Sequence, residues 1–131
     1  MSLNTILYVE DEPDIRTIAQ LALETVGGFT LISCASGSEA VAYAQHTTPD
    51  LILLDVMMPE MDGPETLRLL RERPNMADVP AIFMTAKVQP SEVAEYLSIG
   101  AVDVIAKPFD PLMLAEQINS IWSRTKSQKY K

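Results

Sequence analysis

Leu51-Ile52-Leu53-Leu54-Asp55, running on into Val56-Met57-Met58-Pro59-Glu60-Met61-Asp62-Gly63, is the stretch from which the rest of the chain can be read. Its first four residues are apolar without alternation, the pattern of a parallel strand covered on both faces. The run then stops on a carboxylate and enters a turn containing Pro and Gly. Four further short runs rich in Val, Ile and Leu, at residues 6–9, 31–35, 81–84 and 102–106, read as strands of the same kind. Between them, apolar residues recur at three and four positions, as in Ile15, Ile18, Ala19, Ala22 and Val26, which is one face of a helix. This spacing predicts helices over 14–26, 36–45, 64–72, 91–99 and 110–124. Pro13 and Pro111 suit first helical positions, Gly27-Gly28 a helix stop, and Ser36 with Glu39 a capping box. Strand and helix alternate throughout, so the fold class is α/β with a parallel sheet.

The length, 131 residues with 47% hydrophobic and 21% charged, is that of one domain. No apolar run approaches the roughly 20 residues that cross a bilayer, and the N-terminus lacks the layout of a secretory signal. A cytoplasmic location is therefore expected. Cys34 is the only cysteine, which excludes an internal disulfide and a cysteine zinc site; it is expected to be a buried strand residue. The net charge of -8 argues against direct nucleic-acid binding, which needs clustered Lys and Arg. Arg124, Lys126, Lys129 and Lys131 crowd the end, so the body, residues 1–123, holds 6 basic against 18 acidic residues. The expected organisation is one acidic domain over 1–123 and a basic C-terminal tail over 124–131.

In open parallel sheets ligands bind beyond the carboxyl ends of the strands. There this sequence places Glu10-Asp11 after the first strand, Asp55 after the third, Thr85 after the fourth and Lys107-Pro108 after the fifth. Such a gathering of polar groups is costly unless a counterion or a function accounts for it. Three carboxylates against one ammonium leave a charge of -2, which a divalent cation would cancel. Oxygen donors without His or Cys suit Mg²⁺. A rigidly placed Asp55 is then a nucleophile toward phosphorus, with Lys107 and the Thr85 hydroxyl on the phosphoryl oxygens.

Taken in order, Val9-Glu10-Asp11-Glu12, Leu53-Leu54-Asp55 with Met57-Met58-Pro59-Glu60-Met61-Asp62-Gly63, Met84-Thr85-Ala86 and Lys107-Pro108-Phe109 resemble the receiver domain of two-component response regulators, such as the chemotaxis response regulator. The resemblance covers residues 6 to about 122. It implies a doubly wound, flavodoxin-like sheet of order 2-1-3-4-5 with five helices. It also implies that Asp55 is the phosphoacceptor, that Glu10, Asp11, Asp55 and the Met57 carbonyl hold Mg²⁺, that Thr85 is the switch hydroxyl and that Lys107 contacts the phosphoryl group. The peptide before Pro108 is expected to be cis. The implied partners are a sensor histidine kinase or phosphotransfer protein as donor, and a downstream protein, an output domain or a second copy of the chain (a homodimer) on the surface of helix 4, strand 5 and helix 5. No separate output domain is expected within these residues, nor an enzyme beyond the self-assisted gain and loss of the phosphoryl group.

Two departures stand out. Glu10 occupies a position where the family more often has Asp, and Val104 stands where many receivers carry the Tyr or Phe that turns inward with the threonine. By the resemblance, Met57 and Lys87 occupy the positions whose side chains flank the path of the attacking water. Other readings fit less well. A haloacid-dehalogenase-type phosphatase needs a second acid two residues after its nucleophile, where Met57 stands. A flavodoxin-like electron carrier needs a glycine-rich phosphate loop where Glu10-Asp11-Glu12 would repel phosphate. A degenerate receiver serving only as a binding module would not need Asp55, Thr85 and Lys107 together. Taken alone, the acidic run at 10–14 is what a helix N-terminus favours, His46 is a surface residue, and Tyr96 and Trp122 are packing residues.

Overall fold

The computed structural model describes the backbone of residues 3–129 and the side chains of residues 3–126; Lys131 and the side chain of Lys129 lie outside the described residues. The elements are β1 Thr5–Val9, α1 Pro13–Leu21, β2 Thr30–Cys34, α2 Gly37–Tyr43, β3 Leu51–Asp55, α3 Gly63–Arg71, β4 Ala81–Thr85, α4 Pro90–Ser98, β5 Asp103–Ala106 and α5 Leu114–Lys129. The five strands form one parallel sheet in the order β2-β1-β3-β4-β5, the order expected.

The central strands explain their own sequence. Every residue of β3 and of β4 is buried, because successive side chains point to opposite faces and both faces are covered. Ile6, Tyr8, Leu51, Leu53, Ile82 and Met84 pack with Ala19 of α1 and with Ile118 and Trp122 of α5. Leu7, Val9, Ile52, Leu54, Ala81 and Phe83 pack with Ala40, Leu67, Leu70 and Tyr96 on the other side. Each fully buried aliphatic side chain stabilises the fold by about 1.5–3 kcal/mol, so two complete cores hold the sheet edges in place.

Local chemistry sets the helix starts. Pro13 sits in the first turn of α1, the Ser36 hydroxyl accepts the Glu39 amide at 3.1 Å, and the Asp62 carboxylate accepts the Glu65 amide at 2.9 Å. At α4 the Glu92 carboxylate accepts the Gln89 amide at 3.1 Å.

Three helix boundaries differ from expectation. The first helix is regular only to Leu21 and finishes as a π turn over Ala22–Val26, where the Gly27 amide reaches back five residues to the Ala22 carbonyl at 3.0 Å. Gly28, with φ +73°, then turns the chain toward β2. The last helix begins at Leu114, not at 110, because Asp110 organises a turn of its own. Its side chain accepts the Leu112 amide at 2.9 Å and its carbonyl accepts the Met113 and Leu114 amides at 3.0 Å, so Pro111 stands in that turn and not at a first helical position. At the other end α5 continues through the basic segment to Lys129, with Arg124 paired to Asp103 of β5 and the Lys126 ammonium 4.4 Å above the Trp122 ring.

Cys34 is fully buried, as expected, and burial pushes its thiol up to about 12. His46 is exposed. Tyr96 is buried, its ring 5.4 Å from that of Phe83 and tilted at 59°, which makes it a packing residue between α4 and β4.

Candidate functional site

The carboxyl ends of β1, β3, β4 and β5 bring the expected residues together. Pairing continues one residue past β1, through the Glu10 amide to the Cys34 carbonyl at 3.1 Å, which draws Glu10 into the sheet with 0% exposure. Its backbone carbonyl accepts Nη1 of Arg16 at 2.8 Å, tying it to α1. Asp55 is the last residue of β3 and is 2% exposed; beyond it the Val56 amide still pairs with the Met84 carbonyl at 3.1 Å. Lys107 is anchored after β5 by its amide, which donates to the Thr85 carbonyl at 2.9 Å, and the Lys107–Pro108 peptide is cis as expected.

From that anchor the Lys107 ammonium is shared. It donates to Glu10 Oε1 at 2.9 Å and to Asp55 Oδ1 at 3.1 Å, across 97 and 52 residues of sequence. Glu10 Oε2 takes the Glu12 amide at 3.2 Å. Thr85, 2% exposed, accepts the Lys87 amide on its hydroxyl oxygen at 3.0 Å, which leaves its own proton free for donation. The Met57 side chain is exposed.

Burial pushes the Glu10 carboxyl up to about 7; the Lys107 hydrogen bond opposes this and the Asp55 charge adds to it. For Lys107, burial alone would lower the ammonium, but the hydrogen bonds to Glu10 and Asp55 outweigh it and hold the group above the ordinary lysine value. One cation is thus held by two buried anions and a third carboxylate stands beside them. Oxygen atoms of Glu10, Asp11 and Asp55 lie within 4.8 Å of one another. Asp11 Oδ1 is buried and has no hydrogen-bond partner among the described residues. A buried carboxylate oxygen left in that condition fits a hard divalent cation held by oxygen donors.

Arg16 was not singled out in the sequence, although its place six residues after Glu10 on the facing side of α1 is the signal that finds it. Val104, half-buried, pairs in register with Phe83.

Gly63, the N-terminal residue of α3, closes the loop that follows Asp55. A Cβ there would lie 2.5 Å from the Asp55 carbonyl oxygen and 2.9 Å from the Val56 Cα, backbone atoms that cannot swing aside. Gly63→Ala is therefore expected to lose about 1–3 kcal/mol of stability and to weaken Mg²⁺ binding by moving Asp55. Thermal unfolding and a Mg²⁺ titration check this; parent values in both would show that the loop can yield without disturbing Asp55.

A sequence model described as response regulator receiver domain matches residues 6–119. Response regulator Rre1 of Synechocystis is 34% identical over 120 residues, covering 92% of this chain and 52% of the relative. The alkaline phosphatase synthesis transcriptional regulatory protein PhoP of Bacillus subtilis is 38% identical, covering 92% of this chain and 49% of that protein. The chain therefore spans about half the length of the curated relatives it matches. Among solved structures, Vibrio cholerae chemotaxis protein CheY4 superposes with a TM-score of 0.84 at 29% identity, covering 92% of this chain and 99% of that one. The sheet order, the residues gathered at its carboxyl edge and a family match over nearly the whole chain agree, and the chain belongs to the receiver domains of two-component response regulators.

Proposed function

We propose that this domain accepts a phosphoryl group on Asp55 from a histidine kinase or phosphotransfer protein in the cytoplasm, assists that transfer and its later hydrolysis, and passes the change to a partner. The observation that carries the reading is the single Lys107 ammonium shared by two buried carboxylates beside an unpaired oxygen of Asp11. Such an arrangement serves as an anion-handling centre and has no purpose in packing.

Asp55 is the nucleophile. Its carboxylate oxygen bonds to phosphorus, the bond from phosphorus to the donor's nitrogen or oxygen breaks, and the electron pair leaves with the donor. Lys107, already within hydrogen-bonding distance, follows the charge onto a phosphoryl oxygen, and the Thr85 hydroxyl turns its free proton toward another. Glu10, Asp11, Asp55 and the Met57 carbonyl would hold Mg²⁺, which when bound neutralises charge on the phosphoryl oxygens. Hydrolysis reverses the gain, with water attacking phosphorus and Asp55 leaving.

Output follows from movement of Thr85 and Lys107, whose backbones are joined at 2.9 Å, so that a phosphoryl group favouring one arrangement of β4 and β5 shifts the α4-β5-α5 surface. Intact-protein mass after incubation with a small phosphodonor is the test. One adduct that needs Mg²⁺ is expected, and its absence would leave a binding module. Because Val104 lies outside the chemistry, Val104→Tyr should leave the adduct yield unchanged while altering partner affinity; lost phosphorylation would put that side chain in the site.

A further inference from the structure

Arg16 stands on α1 within six residues of four acids, Glu10, Asp11, Glu12 and Asp14, and among the described residues it is ion-paired to none of them. Its half-buried guanidinium donates instead to a backbone oxygen, the Glu10 carbonyl, at 2.8 Å. By charge alone an arginine beside a cation site weakens the cation. What the site can use is the bond.

That bond completes the hold on Glu10. The Glu10 amide is held by the Cys34 carbonyl at 3.1 Å, its Oε1 by Lys107 at 2.9 Å and its Oε2 by the Glu12 amide at 3.2 Å, so Arg16 answers the one group left, the carbonyl. The Arg16 amide also donates to the Glu12 carbonyl at 2.9 Å. One residue of α1 thus grips the acidic loop on both sides of Asp11.

Asp11 has no comparable hold of its own, for its Oδ1 is buried without a partner among the described residues. Its direction is set through its neighbour. The Glu10 carbonyl and the Asp11 amide belong to one planar peptide unit, so the guanidinium that fixes the carbonyl also fixes the plane from which Asp11 departs. Mg²⁺ demands near-ideal octahedral geometry, and partners that orient its ligands from behind are typically worth about 10- to 100-fold in metal affinity.

We propose that Arg16 is a positioning residue for the divalent cation, its guanidinium aiming the Asp11 carboxylate by holding the Glu10–Asp11 peptide, a role that rests on the assignment of Glu10, Asp11 and Asp55 to Mg²⁺ set out above. Arg16 acts through Asp11 and not on the phosphoryl group. Its loss is therefore felt in metal affinity, and transfer to Asp55 recovers once Mg²⁺ saturates the site.

The test is a calorimetric titration of Mg²⁺ into the unphosphorylated chain, comparing the parent, Arg16→Met, Arg16→Lys and Asp11→Asn. Arg16→Met should bind Mg²⁺ about tenfold more weakly than the parent. Arg16→Lys keeps a donor but not the planar fork, and should lie between the two. With a small phosphodonor, the Arg16→Met adduct should form slowly at the Mg²⁺ concentration that half-saturates the parent and at the parent rate when Mg²⁺ saturates. A pure charge effect has the opposite sign, so tighter binding by Arg16→Met than by the parent or by Arg16→Lys would overturn the role. Parent affinity in Arg16→Met with a lowered unfolding temperature would make Arg16 a residue of the fold alone and overturn it as well. Asp11→Asn separates the two readings. If it loses Mg²⁺ while Arg16→Met keeps parent affinity, the role of Arg16 alone falls; if it binds Mg²⁺ as the parent does, the reading of the metal site falls and the Arg16 role with it.

Discussion

Asp55→Asn is expected to abolish the Mg²⁺-dependent phosphoryl adduct while leaving the fold intact. The amide has the size of the carboxylate but is neutral and no nucleophile, so no bond to phosphorus forms. Stability should not fall with activity. Lys107 keeps its 2.9 Å bond to Glu10, and the asparagine carbonyl oxygen can still accept from the ammonium. The site also loses one of three clustered negative charges. The result would be a protein that unfolds at or above the parent temperature and gains no mass from a phosphodonor. An adduct formed at the parent rate would move the acceptor to another residue.

Lys107→Ala carries the second large effect, and it acts first on stability. The ammonium is 17% exposed in its side chain, and its partners, the Glu10 and Asp55 side chains, are 0% and 3% exposed. Removing one partner of a buried ion pair costs about 3–5 kcal/mol because the remaining charge has nothing to answer it. Here two carboxylates are left so. Without Mg²⁺ the variant should therefore unfold well below the parent. Added Mg²⁺ should raise its unfolding temperature by more than it raises that of the parent, because the cation enters a cluster more negative by one charge. The phosphoryl group would then lack its contact to β5, and the response of the α4-β5-α5 surface should be lost. Unfolding temperatures with and without Mg²⁺ decide the matter. Parent stability and a parent-sized Mg²⁺ increment would mean that Lys107 does not balance the buried carboxylates.

The sheet was legible because both of its faces are covered: Leu51-Ile52-Leu53-Leu54 is apolar at every position, and the structure buries all of it. The residues at the strand ends were legible for a related reason. A carboxylate, a hydroxyl or an ammonium directly after a buried strand has few places to go, and Asp55, Thr85 and Lys107 do converge. What the sequence hid depends on distance or on local hydrogen bonds. That Lys107 would choose Glu10 as well as Asp55 is a contact across the chain that no periodicity encodes. The π turn at Ala22–Val26 continues the apolar spacing of α1, so periodicity alone could not separate them. The late start of α5 was hidden because Pro111 suits a first helical position as well as it suits the turn that Asp110 builds.

Incubation with a small phosphodonor and Mg²⁺, followed by borohydride reduction and peptide mass mapping, reads the acceptor residue itself. An aspartyl phosphate is reduced to homoserine, and the site described above places that conversion at Asp55 and nowhere else. Homoserine at another aspartate, or none in a sample whose intact mass shows an adduct, would contradict it.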